Sequence, residues 1–560
     1  MRLTLVAIHA GRNPEAIALG AACIAAAIRA DAALKGRVET CLLESWIESG
    51  SDPVPDLAQQ IQASRPDLVG FSIYVWNSPA MRRLADNLRR ELPHIRFFAG
   101  GPDASADPDR AIAEMNLDFV VVGEGERATC QVLEFLLENR PSGLETVPGI
   151  RLPCAVNPSQ PGAGLAADFL ASPWLDGSLV PVSGGGVLWE LARGCPFACS
   201  FCYESRGGRG VRPIPADRLI AEFALFQSAG IRHIFVLDPT FNANRQRTLD
   251  WLARFAQAGM DMHFTFEVLA EFLDAAQAKA FSAINCSVQI GLQSVHPTVL
   301  SQVGRSLDRA GFAQKIGLLN QQGVVFGLDL MYGLPQDSLQ GFRQSLDWSL
   351  RLQPNHLDVF ALAVLPGTQL ALDATSLGLL WQPDPPYLVL EQPGFSAADM
   401  GQARRLAHSV DVFYNRGRAV PWFDIILRAL KAKPAQFLQE FADWLVQQES
   451  GGSFHPASTH QTIETWQCAF VQERFGAAGK PGLWPAARDL IRLHGAWSRA
   501  LAEGVDSQIE LDYSPEALEN SAILDLAGFV ARQARQAGRY RVRSGKGGIR
   551  LEKIRRSARP

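Results

Sequence analysis

Short apolar runs separated by amphipathic stretches pattern the first 140 or so residues of the chain. The runs at 3–8, 38–43, 68–74, 96–98 and 119–122 have the length of strands, and stretches such as 15–29 and 80–91 carry apolar residues at helical spacing. Five strands alternating with helices predict a parallel, doubly wound sheet that binds ligands at the carboxyl ends of its strands. Residues 142–186 are rich in Pro, Gly and Ala, with PSQPGAG near the middle and SGGG at the end, and read as a linker. A second alternating series follows at 187–191, 233–237, 262–268, 286–291, 324–331 and 356–363. Six such units predict an open, partial (β/α)6 barrel.

After about Phe395 the strand signal gives way to helical patterns at 397–414, 434–448, 459–475, 486–501 and 517–537. Two β-like pieces, 508–513 and 540–554, interrupt or close this region, the second turning about 544–548. The basic tail 555–560 reads as a solvated end. The expected fold is therefore α/β throughout its first two parts. It comprises a Rossmann-like domain at 1–141, a linker at 142–186, a barrel at 187–394 and a mainly helical domain at 395–560.

Composition narrows the functional classes. At 560 residues the chain is too long for one core, and 47% hydrophobic with 20% charged residues is ordinary for a globular protein. A net charge of -4 draws it neither to nucleic acid nor to an anionic membrane. No apolar run is long enough to span a bilayer, and the N-terminus reads as a strand rather than a signal peptide. The expected location is the cytoplasm, with no nucleic-acid or membrane partner.

Nine cysteines change the picture. Cys23, Cys41, Cys130, Cys154, Cys286 and Cys468 are scattered singly through apolar stretches and read as inert thiols. Cys195, Cys199 and Cys202 form one tight group in Trp189–Tyr203, WELARGCPFACSFCY. An odd total with one tight group points to a reducing compartment and a metal site. Thiolates spaced C-x3-C-x2-C after a strand can reach three irons of a cubane and leave the fourth without a protein ligand. A structural zinc site or a ferredoxin-type cluster would want a fourth ligand, and no further Cys or His lies close in sequence. A zinc site completed by a distant residue is the alternative.

The cysteine loop, with Arg193-Gly194 before it and Tyr203 after it, resembles that of the radical S-adenosylmethionine (SAM) enzymes. The likeness runs from about Val187 to Thr368. It implies a 4Fe-4S cluster held by Cys195, Cys199 and Cys202, with SAM on the open iron. It also implies SAM contacts from Tyr203, from Asp238, Thr240 and Asn242 after the second barrel strand, and from Glu267 at the end of the third. Gln293 and Ser294 of the GLQS sequence and Asp329 before MYGLP complete the implied set. Leu237–Asn242 departs from the family's Gly-Gly-Glu form, so which of its atoms meets SAM stays open.

A doubly wound domain ahead of such a barrel is similar to the cobalamin-binding domain of the B12-dependent radical SAM enzymes. The residues that carry the likeness follow the predicted strands: Ser72, Tyr74, Trp76 and Asn77, then Gly100 and Gly101, then Gly123, Glu124 and Gly125. Glycines there let backbone approach a bulky ligand. The D-x-H-x-x-G sequence that supplies a histidine to cobalt is absent, which leaves the lower axial position open, with Tyr74 or Trp76 placed to pack over that face.

The resemblance implies reductive cleavage of SAM to a 5′-deoxyadenosyl radical, with electrons from an external one-electron reductant such as flavodoxin or ferredoxin. Methylation of an unactivated carbon through methylcobalamin is the leading expectation. Radical rearrangement or cyclisation without methyl transfer, a radical SAM enzyme without B12, and an iron–sulfur electron-transfer or redox-sensing module stand as alternatives. The substrate, a general acid or base and the role of the C-terminal region are not legible. His263, His296 and Tyr332 stand near strand ends, and Glu204–Gly210 could close over a cavity.

Overall fold

A computed structural model describes residues 1–48, 50–153, 170–204, 210–259, 261–449, 458–545 and 548–554. The middle of the expected linker, most of the expected covering segment 204–210 and the basic tail lie outside the described residues.

Strands β1 (Arg2–His9), β2 (Glu39–Trp46), β3 (Leu68–Ser72), β4 (Arg96–Gly100) and β5 (Phe119–Val121) form a parallel sheet in the order β2-β1-β3-β4-β5. A short β6 (Ile150–Arg151) adds to β5 antiparallel. The pleat sends alternate residues of β1 to opposite faces. Leu3, Leu5 and Ala7 join one core beneath helices Leu19–Ala30 and Glu126–Leu137. Val6 and Ile8 join another beneath helices Val54–Ser64 and Ser78–Glu91. Each face has its own apolar layer, as a doubly wound sheet requires.

The second sheet starts with β7 (Gly186–Glu190). Two residues on, β8 (Ala192–Arg193) pairs antiparallel with β9 (Arg212–Pro213), so the cysteine loop is zipped together at its base. Then come β10 (His233–Leu237), β11 (His263–Val268), β12 (Cys286–Gln293), β13 (Val325–Tyr332) and β14 (His356–Ala361). Their order, β14-β13-β12-β11-β10-β7, is parallel throughout and open between β14 and β7. Outward residues such as Trp189, Val236 and Phe266 are buried under the helices, whereas inward positions carry Glu190, Thr265, Gln289 and Asp329. Trp189 anchors the outer layer: its ring stacks on Phe223 at 5.8 Å, and its Nε1 donates to Glu222 at 2.8 Å. Glu222, fully buried, is balanced by Arg218 at 2.9 Å.

Part of the expected linker is packed. Trp174 meets Phe226 edge-on at 5.2 Å, and Leu170 and Leu179 join the same core. Apolar residues spaced among the prolines and glycines bury area that a free linker would leave in water.

Beyond the barrel, β15 (Leu380–Trp381) and β16 (Val389–Glu391) form a small ribbon that the sequence pattern did not announce. Helix Ala397–Ser409 begins with a Ser396–Asp399 capping box and runs on into a π-helical stretch, Val410–Arg416. There Asn415 satisfies both the N–H and the C=O of Leu357, each at 2.9 Å, and so covers the outer edge of β14. Further helices, chief among them Phe423–Leu430, Pro434–Glu449, His460–Ala477 and Trp484–Ala502, pack with an antiparallel sheet of β17 (Ser507–Leu511), β18 (Gly538–Gly545) and β19 (Gly548–Lys553).

The helix expected at 517–537 is broken into Pro515–Leu518, a 3-10 turn Ser521–Leu524 and Leu526–Arg532. Asn520 and Asp525 each accept from a backbone N–H two or three residues on, so they restart the chain rather than continue it. Among the described residues, no helix is long and apolar enough to cross a membrane.

Candidate active site

The cysteine loop is held from two sides and by a turn of its own. Ser200 N–H donates to Val303 C=O at 3.2 Å, Leu370 N–H donates to Ser200 C=O at 2.8 Å, and Cys202 N–H donates to Cys199 C=O at 3.1 Å. Cys199 is buried, and burial pushes the Cys202 thiol up to about 11. The Cys202 thiol therefore stays protonated at neutral pH unless a metal takes the proton's place. Among the described residues, no three His, Cys, Asp or Glu side chains converge on one metal ion. A cubane asks instead for thiolates on three separate irons, and a donor set of three soft sulfurs suits it.

The expected SAM contacts divide into two groups. Thr240 is buried with its Oγ1 3.9 Å from Cys195 Sγ. Glu267 opens into the barrel interior across from Gln289, and its carboxyl is raised by burial and then by Glu204 and Asp238. Gln293 ends β12 at a bulge with φ of +67°, a conformation a non-glycine residue adopts only where its surroundings impose it. Tyr203 directly follows the last cysteine and is half-buried.

Three of the expected residues are engaged by the protein itself. Asn242 spends its amide on the backbone of Leu269, donating to its C=O and accepting from its N–H at 2.9 Å each. Ser294 is fully buried against Ser345 of helix Leu339–Arg351 and faces away from the interior. Asp238 is buried against Arg247 at 2.8 Å and accepts from Thr240 N–H, so it shapes the loop from behind. Polar side chains at strand ends are as useful for holding a turn as for holding a ligand.

Asp329 sits inside the barrel in a polar layer. The Gln289 amide donates to Asp329 and, at 3.0 Å, to Asp358, which pairs with His356 at 2.8 Å. Burial, with Asp358 and Glu267 adding, raises the Asp329 carboxyl to about 7, against the lowering effect of the Gln289 hydrogen bond. A raised folded value means the folded state binds the extra proton between about pH 4 and 7. Stability from this group is therefore complete below pH ~4 and falls as pH rises to about 7. Asp329→Asn is expected to raise the apo-protein melting temperature at pH 8, with the gain vanishing near pH 4. A pH-independent difference in thermal melts would overturn this account.

His263 bonds to Asn285 and Ser287 at 3.0 Å, and His296 lies 3.0 Å from Gly341 C=O. Burial raises the Tyr332 phenol, with Arg404 acting against it.

In the N-terminal domain, the loop after β3 carries Tyr74 and Trp76 stacked at 4.4 Å, with Trp76 half exposed. Burial raises the Tyr74 phenol, which hydrogen-bonds Ser72 and lies beside Gly20 of helix Leu19–Ala30. Asn77, expected as a ligand contact, is instead fully buried. It accepts from Tyr74 N–H at 2.8 Å and donates to Ile8 and Ser72 C=O at 3.0 Å, clamping the loop.

Gly101 has φ of +97°, and a Cβ there would stand 2.5 Å from Ile73 C=O, so the loops after β3 and β4 are in direct backbone contact. Gly101→Ala is expected to cost about 1–3 kcal/mol and to displace both loops. Urea unfolding measures the first effect and ligand retention the second; a parent-like midpoint would refute it. Gly100 has only ordinary contacts, Gly123 has φ of +84° and donates to Ser105 Oγ, and Gly125 approaches Ile24.

Glu124, also among the expected ligand contacts, forms interdomain ion pairs: it meets Arg212 and, at 3.6 Å, Arg193. Arg193 also pairs with Glu126 at 2.8 Å and with Glu190 at 2.9 Å. Burial alone would lower its guanidinium, but Glu126 and Glu190 hold it charged, above its ordinary range. A second link joins Asp103 to Arg110 at 3.3 Å, and both to the hydroxyl of Tyr387. Sequence reasoning missed these functions because partners such as Asp103 and Tyr387 stand 284 residues apart. The one available signal was Arg193 directly before the cysteine motif.

Comparison with known proteins finds three matched segments. Residues 6–133 match the B12 binding domain model, 189–349 the radical SAM superfamily model, and 376–471 a family of unknown function, DUF4080. An uncharacterised methyltransferase of Pyrococcus horikoshii is 25% identical over 335 residues, covering 56% of this chain and 71% of that protein. The cobalamin-dependent radical SAM methyltransferase TokK of Streptomyces tokunonensis is 26% identical over 351 residues. That match covers 57% of this chain and only 50% of TokK, so the chain spans about half the length of this relative. The solved structure of OxsB, a cobalamin-dependent SAM radical enzyme with aqua-cobalamin bound, shares the fold. The TM-score is 0.60 at 15% identity, over 95% of this chain and 83% of that one.

Proposed function

We propose that the chain is a cobalamin-dependent radical SAM enzyme, a reading supported by its matches to the B12 binding domain and radical SAM superfamily models, and that it methylates an unactivated carbon of its substrate. When bound, the 4Fe-4S cluster supplies one electron for SAM cleavage and cobalamin supplies a methyl carrier. Cys195, Cys199 and Cys202 would hold the cluster. Thr240, Glu267, Gln293 and Asp329, with Tyr203, line the space for SAM. The loops at Ser72–Trp76, Gly100–Gly101 and Gly123–Gly125 would hold cobalamin, with the Tyr74–Trp76 stack against it. The external reductant would be a small one-electron carrier such as flavodoxin or ferredoxin.

The observation that carries this reading is the Arg193 junction. One guanidinium ties the loop after β5 to the base of the cysteine loop through Glu124, Glu126 and Glu190. Two binding loops so joined present their ligands to one cleft, and methyl transfer needs both at the same substrate. The chain's own part is to bind, orient and keep water out. The packed Asp103–Arg110–Tyr387 link closes the same junction at a second point.

The test is anaerobic reconstitution with iron, sulfide and hydroxocobalamin, followed by desalting and measurement of retained metals. About four irons and one cobalt per chain, with label from methyl-deuterated SAM appearing in product, is the expected result. Four irons without cobalt would keep the radical chemistry and remove methyl transfer by this route.

A further inference from the structure

We propose that Arg305 is a positioning residue that tunes the reduction potential of the cluster through Cys199, on the reading that Cys199 ligates iron. Arg305 is 106 residues away in sequence, yet its Nη1 stands 3.8 Å from Cys199 Sγ, within reach of an N–H···S hydrogen bond. Its Nη2 donates to Gly291 C=O at 2.9 Å, which fixes the plane of the guanidinium against β12. The preceding residues hold the approach in place. Val303 C=O accepts from Ser200 N–H in the cysteine loop. Gly304, at φ of +69°, comes so near that a Cβ would stand 2.7 Å from Ala198 C=O. The contact is thus built from both sides, by backbone as well as by side chain.

A permanently charged donor beside a thiolate ligand draws electron density off sulfur. It favours the oxidation state with more negative charge, and hydrogen bonds to the sulfurs are among the factors that set cluster potentials. One electron arrives from a low-potential one-electron carrier and takes the cluster from its 2+ to its 1+ state. No bond to Arg305 forms or breaks, and no proton moves. Arg305 makes that electron easier to accept, which matters because SAM cleavage starts from the reduced state.

The test compares the parent with Arg305→Met and Arg305→Lys after anaerobic reconstitution. Iron is counted first, and the midpoint potential is then read by EPR-monitored redox titration without SAM. In Arg305→Met the reduction equilibrium is expected to shift about tenfold toward the oxidised state, about 59 mV downward for one electron. Arg305→Lys should recover part of the shift, since it keeps the charge and loses the fork. Full iron with a parent-like midpoint in both variants would overturn the proposal, even if SAM affinity measured by EPR fell. If Arg305→Met does not hold iron, Arg305→Gln replaces it, and a parent-like midpoint there overturns the proposal equally. Loss of iron in every variant, with the parent loaded, would overturn it in favour of a purely structural role. A parent that holds no iron would refute the cluster reading itself, a separately visible failure.

Discussion

Replacing Cys199 by Ala is expected to reduce SAM cleavage to background while leaving the fold close to parent stability. The two halves of this expectation have different physical sources. Cys199 is 8% exposed in a loop whose backbone is tied to Val303 and Leu370 by groups other than its thiol. Removing one sulfur from such a site costs little beyond its own contacts, because Ala keeps the backbone hydrogen bonds. The chemistry has no such reserve. Three thiolates leave a single iron for SAM, and two would leave the cluster without a stable seat. Formation of 5′-deoxyadenosine by the anaerobic, reduced protein is the readout, alongside iron content and circular dichroism. Retained 5′-deoxyadenosine would remove Cys199 from the ligand set.

Arg193→Met should give the largest loss of stability. The Arg193 side chain is 14% exposed and faces Glu126, itself 7% exposed, and Glu190 at 20%. Methionine fills much of the same volume but leaves these carboxylates together without their cation. Breaking a buried pair in this way costs about 3–5 kcal/mol. Urea denaturation measures the loss. The same variant should retain less cobalamin after desalting, because Glu126 opens the helix directly behind Gly123–Gly125. Arg193→Lys should return part of both. A stability change within about 0.5 kcal/mol would show that the carboxylates relax into water and that the junction is not needed.

The architecture was readable because each strand of both sheets is bounded by a change of period. The run at 233–237 and β10 coincide, and β14 differs from its expected run only at the carboxyl end. The chemistry was readable for a different reason: C-x3-C-x2-C is a local pattern, and three ligands within eight residues need no tertiary knowledge. What stayed hidden depends on distance. Asn242 and Ser294 carry the right atoms at the right strand ends, and only the packed chain shows that Leu269 and Ser345 have claimed them. Arg305 and Tyr387 sit in segments whose sequence says turn, and their partners lie 106 and 284 residues away. In the C-terminal region, Asn520 and Asp525 outweighed the helical periodicity around them, since a good cap is worth about 1 kcal/mol and periodicity in an exposed stretch is worth less.

The apolar interior described above is unequally shared along the chain. One continuous core runs from Leu170 and Trp174 through the barrel to Tyr540 and Val542 and takes in Ala22 of the N-terminal helix Leu19–Ala30, whereas the N-terminal sheet has two further cores, one on each face. Charged groups also cross between these bodies: Arg193 and Arg212 meet Glu124 and Glu126. The N-terminal sheet, with cores of its own, is expected to open in hydrogen exchange at a lower free energy than the barrel. The helical region after Phe395 has no such freedom. Its helices complete the barrel's core, so the barrel and the C-terminal region gain and lose structure as one cooperative unit.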